Sequence, residues 1–399
     1  MPMPMPIRPP GSAARSDETE STSHLEETFP PASQTAAELR GVLGEIMPAY
    51  RARWGDSDEW DALVDFQRRL GAAGWGAPSW PTKIGGRSLT VREQLDCDPE
   101  YTRAQAPSRV AVYGTSNVGP TIAAVGTPPQ LKHLGAIVRG DEFWCQGFSE
   151  PNAGSDLAGL QCRAEVTDTG FVINGQKVWT SIGMHATHCM LLARTDPDAM
   201  KHRGISALLL PLDTPGVSRR PIRQLTGESE FAELFFDDVF VPTSALLGPL
   251  HEGWRVTMTT LGFERTGVIK VAGSLVDDVN SLMHSQALAQ ADACSKQRAA
   301  QVYVNSRLLE WMGQRCLAES DMNAALMSSL IKLAWSQLGV RFAELSFDLA
   351  GPDALIGLTP AITRRFLGSR SYTIAGGTTE VMKNLIGERN LGLPREPKL

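Results

Sequence analysis

Hydrophobic residues recur at helical spacing through the first third of the chain. Leu39, Val42, Leu43 and Ile46 fall on one stripe, and Leu63, Phe66 and Leu70 on another. A period near 3.6 residues predicts amphipathic helices. That texture holds from about 35 to 140, broken by Pro/Gly clusters such as 74–81, which punctuate helices. Residues 1–32 are rich in Pro, Ser, Thr and Glu and carry no period, so they read as a disordered tail.

The period changes near residue 145. The run FVINGQKVW at 171–179 holds two short β-type stretches around Asn174-Gly175. That dipeptide favours a type I′ hairpin turn, whose two central residues both need φ > 0. ISALLLP at 205–211 and FAELFFDDVFVP at 231–242 read as further strands. From Gly253 the helical period returns over 254–285, 295–318 and 322–349, and Gly351-Pro352 ends the last stretch. A final helix is expected from Thr379 to about Glu388. The fold class is therefore α+β, mainly α, with helices over 33–144, a β-domain over 145–248 and helices over 249–399. The two outer helical parts can form one bundle with the β-domain inserted.

Composition narrows the function. The chain has 399 residues, 42% of them hydrophobic and 21% charged, with a net charge of −6. That balance fits a folded globular protein and argues against a nucleic-acid binder, which needs a basic face. No apolar run approaches the roughly 20 residues that span a bilayer. The Met-Pro repeats at the start lack an apolar core, so no signal peptide is expected. Six cysteines are scattered without a CxxC pair, which suits reduced thiols in the cytoplasm.

Four segments carry polar groups where chemistry is expected. FSEPNAGSD at 148–156 is a Pro/Gly-fixed loop with short polar side chains, able to donate hydrogen bonds to a flat polar ring or simply to cap its own turns. Trp179 and Ser181 follow the expected hairpin; the indole can stack on a planar group or serve as core. Glu264 and Arg265 are adjacent on an expected helix, so they point apart and need not pair. YTIAGGTTE at 372–380 is a Gly-containing loop that opens a helix, with Thr378 or Thr379 as its N-cap. His185, His188 and Cys189 lie close in sequence, but no second ligand cluster accompanies them and no metal site is expected.

Together these segments resemble the acyl-CoA dehydrogenase family over about residues 35–395. The most specific stretches are QGFSEPNAGSD at 146–156, NGQKVWTS at 174–181 and TIAGGTTEVMKNLIGER at 373–389, with FFDDVFVP at 235–242 as a fourth. The resemblance implies an N-terminal helical domain, a middle β-barrel-like domain and a C-terminal four-helix bundle. It implies FAD as cofactor, an acyl-CoA or other acyl thioester as substrate, and an electron-transfer flavoprotein or similar acceptor. It also implies a homo-oligomer, or a heterotetramer with a related subunit, and lipid metabolism as the setting.

The resemblance assigns roles by position. Phe148 and Ser149 lie along the flavin ring, Trp179 and Ser181 flank it, and Thr378 and Glu380 approach it from the last helix. Ser155 falls near the thioester-bearing arm, Arg265 near the acyl-CoA entrance, and the Gly376 N–H at the thioester carbonyl. Family members place the catalytic base either in the loop before the final Gly-Thr or on the first helix after the β-domain, directly before an Arg. The loop here is Ala375-Gly376-Gly377-Thr378, without a carboxylate, so the base falls to Glu264. Two departures concern what the chain lends a neighbour. The Arg-x-x-Phe-Gly segment is missing from SQALAQADACSK at 285–296, and DLAGP at 348–352 replaces a Gln before Gly-Gly. The alternatives are a flavin-dependent oxidase or monooxygenase on the same scaffold, or a non-catalytic subunit of a heteromeric dehydrogenase.

Overall fold

The computed structural model describes residues 33–318 and 321–395; the side chains of 264–271, 318 and 321–326 lie outside that description. The expected tail, 1–32, also lies outside the described residues. The described residues up to Val110, with Val138–Gly140, make one compact unit, and Ala111–Ile137 with the chain from Asp141 onward makes a second.

The first unit contains α1 (Gln34–Trp54), α2 (Trp60–Ala72) and α3 (Val91–Arg103). Their apolar stripes meet as the helical period requires. Leu39, Leu43, Phe66, Leu70, Cys97 and Tyr101 are buried in one cluster, with Val42 and Ile46 at its margin. Burial of this kind stabilises by about 1.5–3 kcal/mol per large side chain. Helix α3 starts at a reciprocal cap, in which Thr90 Oγ1 accepts from Glu93 N and Glu93 accepts from Thr90 N. Helix α3 also carries a buried carboxylate, Glu100, gripped by both Nε and Nη2 of the half-exposed Arg40 at 2.9 Å.

The chain continues through α4 (Gly119–Val125) and α5 (Lys132–Arg139) to an eight-stranded sheet. Its strands are β1 (Trp144–Gly147), β2 (Arg163–Val166), β3 (Gly170–Ser181), β4 (His188–Arg194), β5 (Ile205–Pro211), β6 (Val217–Ile222), β7 (Phe231–Pro242) and β8 (Leu246–Leu247). The order is β6-β7-β3-β2-β4-β5-β8, with β1 lying parallel to β4. Strands β4 and β5 are buried almost throughout, which explains why LLL at 208–210 shows no polar alternation.

The turn expected at Asn174-Gly175 is not formed. Strand β3 runs through the dipeptide, and the register against β7 shifts between Ile173 and Gly175. The chemistry that favours a turn serves a bulge instead. Gly175 has φ 144°, and a Cβ there would lie 2.8 Å from Cys162 Cα. Asn174 Nδ2 donates to Asp238 Oδ1 and Asn174 Oδ1 accepts from Asp238 N, both at 2.9 Å. The amide therefore ties β3 to β7 rather than closing a loop.

After the sheet come α6 (Gly253–Met283), α7 (Gln286–Ala289), α8 (Ala293–Ala318), α9 (Asp321–Ala350), α10 (Pro352–Leu355), α11 (Pro360–Gly368) and α12 (Thr379–Leu385). Helices α6, α8 and α9 pack on one another, and α11 packs on α9. Arg365 bonds Asp278 at 3.0 Å and so joins α11 to α6, while Arg364 reaches Glu228 between β6 and β7 at 3.1 Å. The final helix is α-helical only to Leu385 and continues as a wider π-turn through Asn390.

Candidate functional site

Strand β1 delivers its chain directly into the loop 148–156. Phe148 and Ser149 are buried at its start, and Ser155 is exposed at its far end. A fully buried cation fixes the loop. Lys177 Nζ donates to Phe148 O at 3.1 Å and to Glu150 Oε1 at 2.7 Å. The Glu150 carboxylate also accepts from Gln161 N at 2.7 Å and Cys162 N at 2.8 Å. One carboxylate thus ties the start of the loop to the chain at 161–162 that leads into β2, and its charge is balanced where water does not reach. Asp156 is exposed and pairs with Lys201 at 2.6 Å.

The end of β3 carries the second part. The register against β7 shifts again between Lys177 and Thr180, and Trp179 takes φ 59°. Val178 N leaves the ladder and donates to Ser149 O at 2.9 Å, so the bulge docks β3 onto the loop. It also re-aims two side chains, as bulges beside binding sites do. The Trp179 ring is 41% exposed, while Ser181 is buried. Phe148, Ser149, Trp179 and Ser181 are therefore brought together.

Several donors in this region have no partner among the described residues. Ser181 Oγ, Thr180 Oγ1 and Gln146 Nε2 are buried without a hydrogen-bond partner among the described residues. A buried polar group left unpaired costs roughly 1–3 kcal/mol, so the orphaned Ser181 hydroxyl, two residues from Trp179 on β3, points to a polar ligand. An exposed indole beside it suits a planar ring. This set fits the flavin of FAD.

Thr378, Glu380 and Gly376 lie on a separate segment. Thr378 is the N-cap of α12, its Oγ1 accepting from Val381 N at 3.2 Å, and Glu380 is exposed on the first turn. Gly376 and Gly377 have φ of 67° and 100°, a left-handed path that side chains rarely follow. The segment rests on α9. Buried Lys332 donates to Gly377 O and, at 3.3 Å, to Tyr372 O, and Trp335 packs against Tyr372 with centroids 5.0 Å apart.

Glu264 and Arg265 lie on α6, and their side chains fall outside the described residues. Asp348, in place of the expected Gln, pairs with Arg298 of α8 at 2.6 Å, so its charge is neutralised within the chain. His185, His188 and Cys189 do not gather. Cys189 is buried in β4, and His188 stacks on Trp144.

Lys177, Glu150 and Lys332 were not singled out from the sequence, although the first two lie inside two of the most specific segments. An isolated Lys in a strand pattern reads as solvent-facing, and only the fold shows these cations turned inward.

Comparison with known proteins covers the same span. Family models for the N-terminal, middle and C-terminal domains of acyl-CoA dehydrogenases match residues 32–141, 145–239 and 251–391. The chain is 40% identical over 388 residues to acyl-CoA dehydrogenase IpdE1 of Mycolicibacterium smegmatis, covering 91% of this chain and 98% of that protein. Among solved structures it resembles the Tcur3481-Tcur3483 steroid ACAD, with TM-score 0.78 and 27% identity over 92% of this chain and 98% of the other. It also resembles the ChsE4-ChsE5 complex of Mycobacterium tuberculosis, with TM-score 0.73 and 27% identity over 92% and 99%.

Proposed function

Because the chain belongs to the acyl-CoA dehydrogenase family of FAD-dependent oxidoreductases, we propose that it converts an acyl-CoA to the trans-2-enoyl-CoA, with Glu264 removing the α-proton. The observation that carries this reading is the complementary pair of positions. The loop before Thr378 has no carboxylate, and the helix after the β-domain has one directly before Arg265. An α-proton of a thioester is weakly acidic, so a base and donors to the carbonyl oxygen must act together.

Bound FAD supplies the two-electron oxidation that no side chain here can perform. The chain's own residues hold and orient. Phe148 and Ser149 line the ring on one side, and Trp179 and Ser181 flank it. Thr378 and Glu380 meet the cofactor from α12. The Gly376 N–H holds the thioester carbonyl, a role that needs no side chain and tolerates glycine. By position in the family pattern, Ser155 falls near the thioester-bearing arm and Arg265 near the acyl-CoA entrance.

A related subunit completes the assembly in this reading, and an electron-transfer flavoprotein or similar acceptor removes the electrons. What supports the related subunit is the missing Arg-x-x-Phe-Gly segment, the Asp348–Arg298 pair where a pyrophosphate ligand is expected, and the likeness to complexes named for two chains. A steroid-derived acyl thioester heads the substrate panel because one of those neighbours is named for steroids.

The test is anaerobic. The protein is purified alone and with a co-expressed relative, and its flavin spectrum is followed as acyl-CoA thioesters are added. Bleaching by a thioester, slowed by about 10²–10⁴-fold in Glu264→Gln with flavin still bound, is the expected result. Wild-type bleaching in Glu264→Gln removes Glu264 from the mechanism.

A further inference from the structure

His133, Glu142 and His188 each turn one ligating atom toward the others, and these atoms all lie within 4.8 Å of one another. The residues come from three segments: α5, the turn before β1, and the first position of β4. Strand register brings two of them together, since β1 and β4 are parallel partners with Trp144 opposite His188. The Trp144 indole then organises the group. It stacks on His188 with centroids 4.8 Å apart and meets His133 edge-on at 5.2 Å.

Outer hydrogen bonds orient two of the ligands, as they do around metal ions. Thr187 Oγ1 lies 2.9 Å from His188 Nδ1, which holds that ring by one nitrogen and presents Nε2. Trp144 Nε1 donates to Glu142 Oε2 at 3.0 Å. His133 Nδ1 sits 2.9 Å and 2.8 Å from the two Glu142 oxygens, the place of a shared proton that an ion can replace.

We propose that His133, Glu142 and His188 form a binding site for a divalent transition-metal ion of the zinc class. Two imidazoles and one carboxylate suit zinc, whereas magnesium and calcium prefer oxygen alone. Ligand atoms on a tetrahedral ion lie about 3.3 Å apart, given bonds near 2.0–2.1 Å. The longest edge of the cluster closes by about 1.5 Å to reach that spacing, through rotation of half-buried side chains. Water takes the fourth position. The ion would staple α5 and β4 to the root of β1, the strand that leads into Phe148 and Ser149.

The test uses full-length, tag-free protein carrying its flavin. It is made in a Cys294→Ser background, because Cys294 is an exposed thiol that can take up metal adventitiously. Zinc is titrated by calorimetry, and cobalt by its ligand-field bands beyond the flavin absorption. The site is supported by one equivalent per chain with Kd below about 1 μM, weakened at least about 100-fold in His188→Gln and in Glu142→Gln. It is overturned by the lack of saturable one-equivalent uptake, or by undiminished uptake in those variants. Circular dichroism checks that each variant is folded, and Glu142→Gln, which keeps a hydrogen-bond acceptor, decides the matter should His188→Gln fail to fold.

Discussion

Lys177 Nζ lies 2.7 Å from Glu150 Oε1, and the two side chains are 0% and 8% exposed. This pair connects the loop that holds Ser149 to the strand that holds Trp179 and Ser181. Lys177 belongs to β3, two residues before Trp179, and Glu150 follows Ser149 directly. Removing one partner strands a charge in a dry environment, which costs about 3–5 kcal/mol. Lys177→Met is therefore expected to lower the melting temperature and release flavin. Adding Glu150→Gln should restore part of the lost stability. A double-mutant cycle read by thermal melts and flavin retention checks the coupling; strict additivity would show that the pair does not act as a unit.

Ser181 gives a test of cofactor binding apart from folding. Its hydroxyl is buried without a partner among the described residues, so Ser181→Ala removes nothing from the flavin-free fold. The expected outcome is unchanged or slightly raised stability without FAD. FAD affinity should fall about 10-fold, the worth of one hydrogen bond. Fluorescence titration of the flavin-free protein measures both quantities in one sample.

Lys332 supports the other segment. Its contacts with Gly377 O and Tyr372 O hold the backbone on either side of Gly376. If the Gly376 N–H holds the thioester carbonyl as proposed, Lys332→Met should lower kcat by about 10–100-fold while flavin stays bound, because a small displacement of such a donor is costly. Stopped-flow bleaching, with KM determined separately, distinguishes this from lost substrate binding. A fall in kcat/KM carried wholly by KM would argue against it.

Glu100 reports on acid stability. The Arg40 hydrogen bonds, with Arg103 added and burial opposing, hold its carboxyl at about 2 rather than 4.5. A depressed folded-state pKa gives stability that is full above the ordinary value and fades as pH falls through about 2. Glu100→Gln should cost about 2 kcal/mol at neutral pH, since the half-exposed arginines are partly screened. The variant's stability should also depend less steeply on pH in that window. Urea melts across the acid range measure the slope.

The helices were legible because a helix declares its buried face locally. Leu39, Leu43, Phe66 and Leu70 fall at 3.6-residue spacing, and each packs into the core. The end of α9 was legible for a similar reason: Gly351 takes φ 58° and Pro352 follows it. Asn174-Gly175 shows where local reading stops. The dipeptide does need a positive φ at Gly175, but whether the chain turns back or bulges depends on strand β7, more than fifty residues away. Pairing partners are not written in the residues that pair.

Hydrophobic period and motif order determined the fold class and the family resemblance, because each rests on short-range spacing. Tertiary structure decided which charges are buried. Lys177 and Lys332 look like surface lysines in sequence and are enclosed in the fold. His188 sits near His185 and Cys189 in sequence, yet its partners are His133 and Glu142. Burial and partnership are properties of chain segments brought together from a distance. Loop closure and strand register set them, and neither is encoded within a window of a few residues.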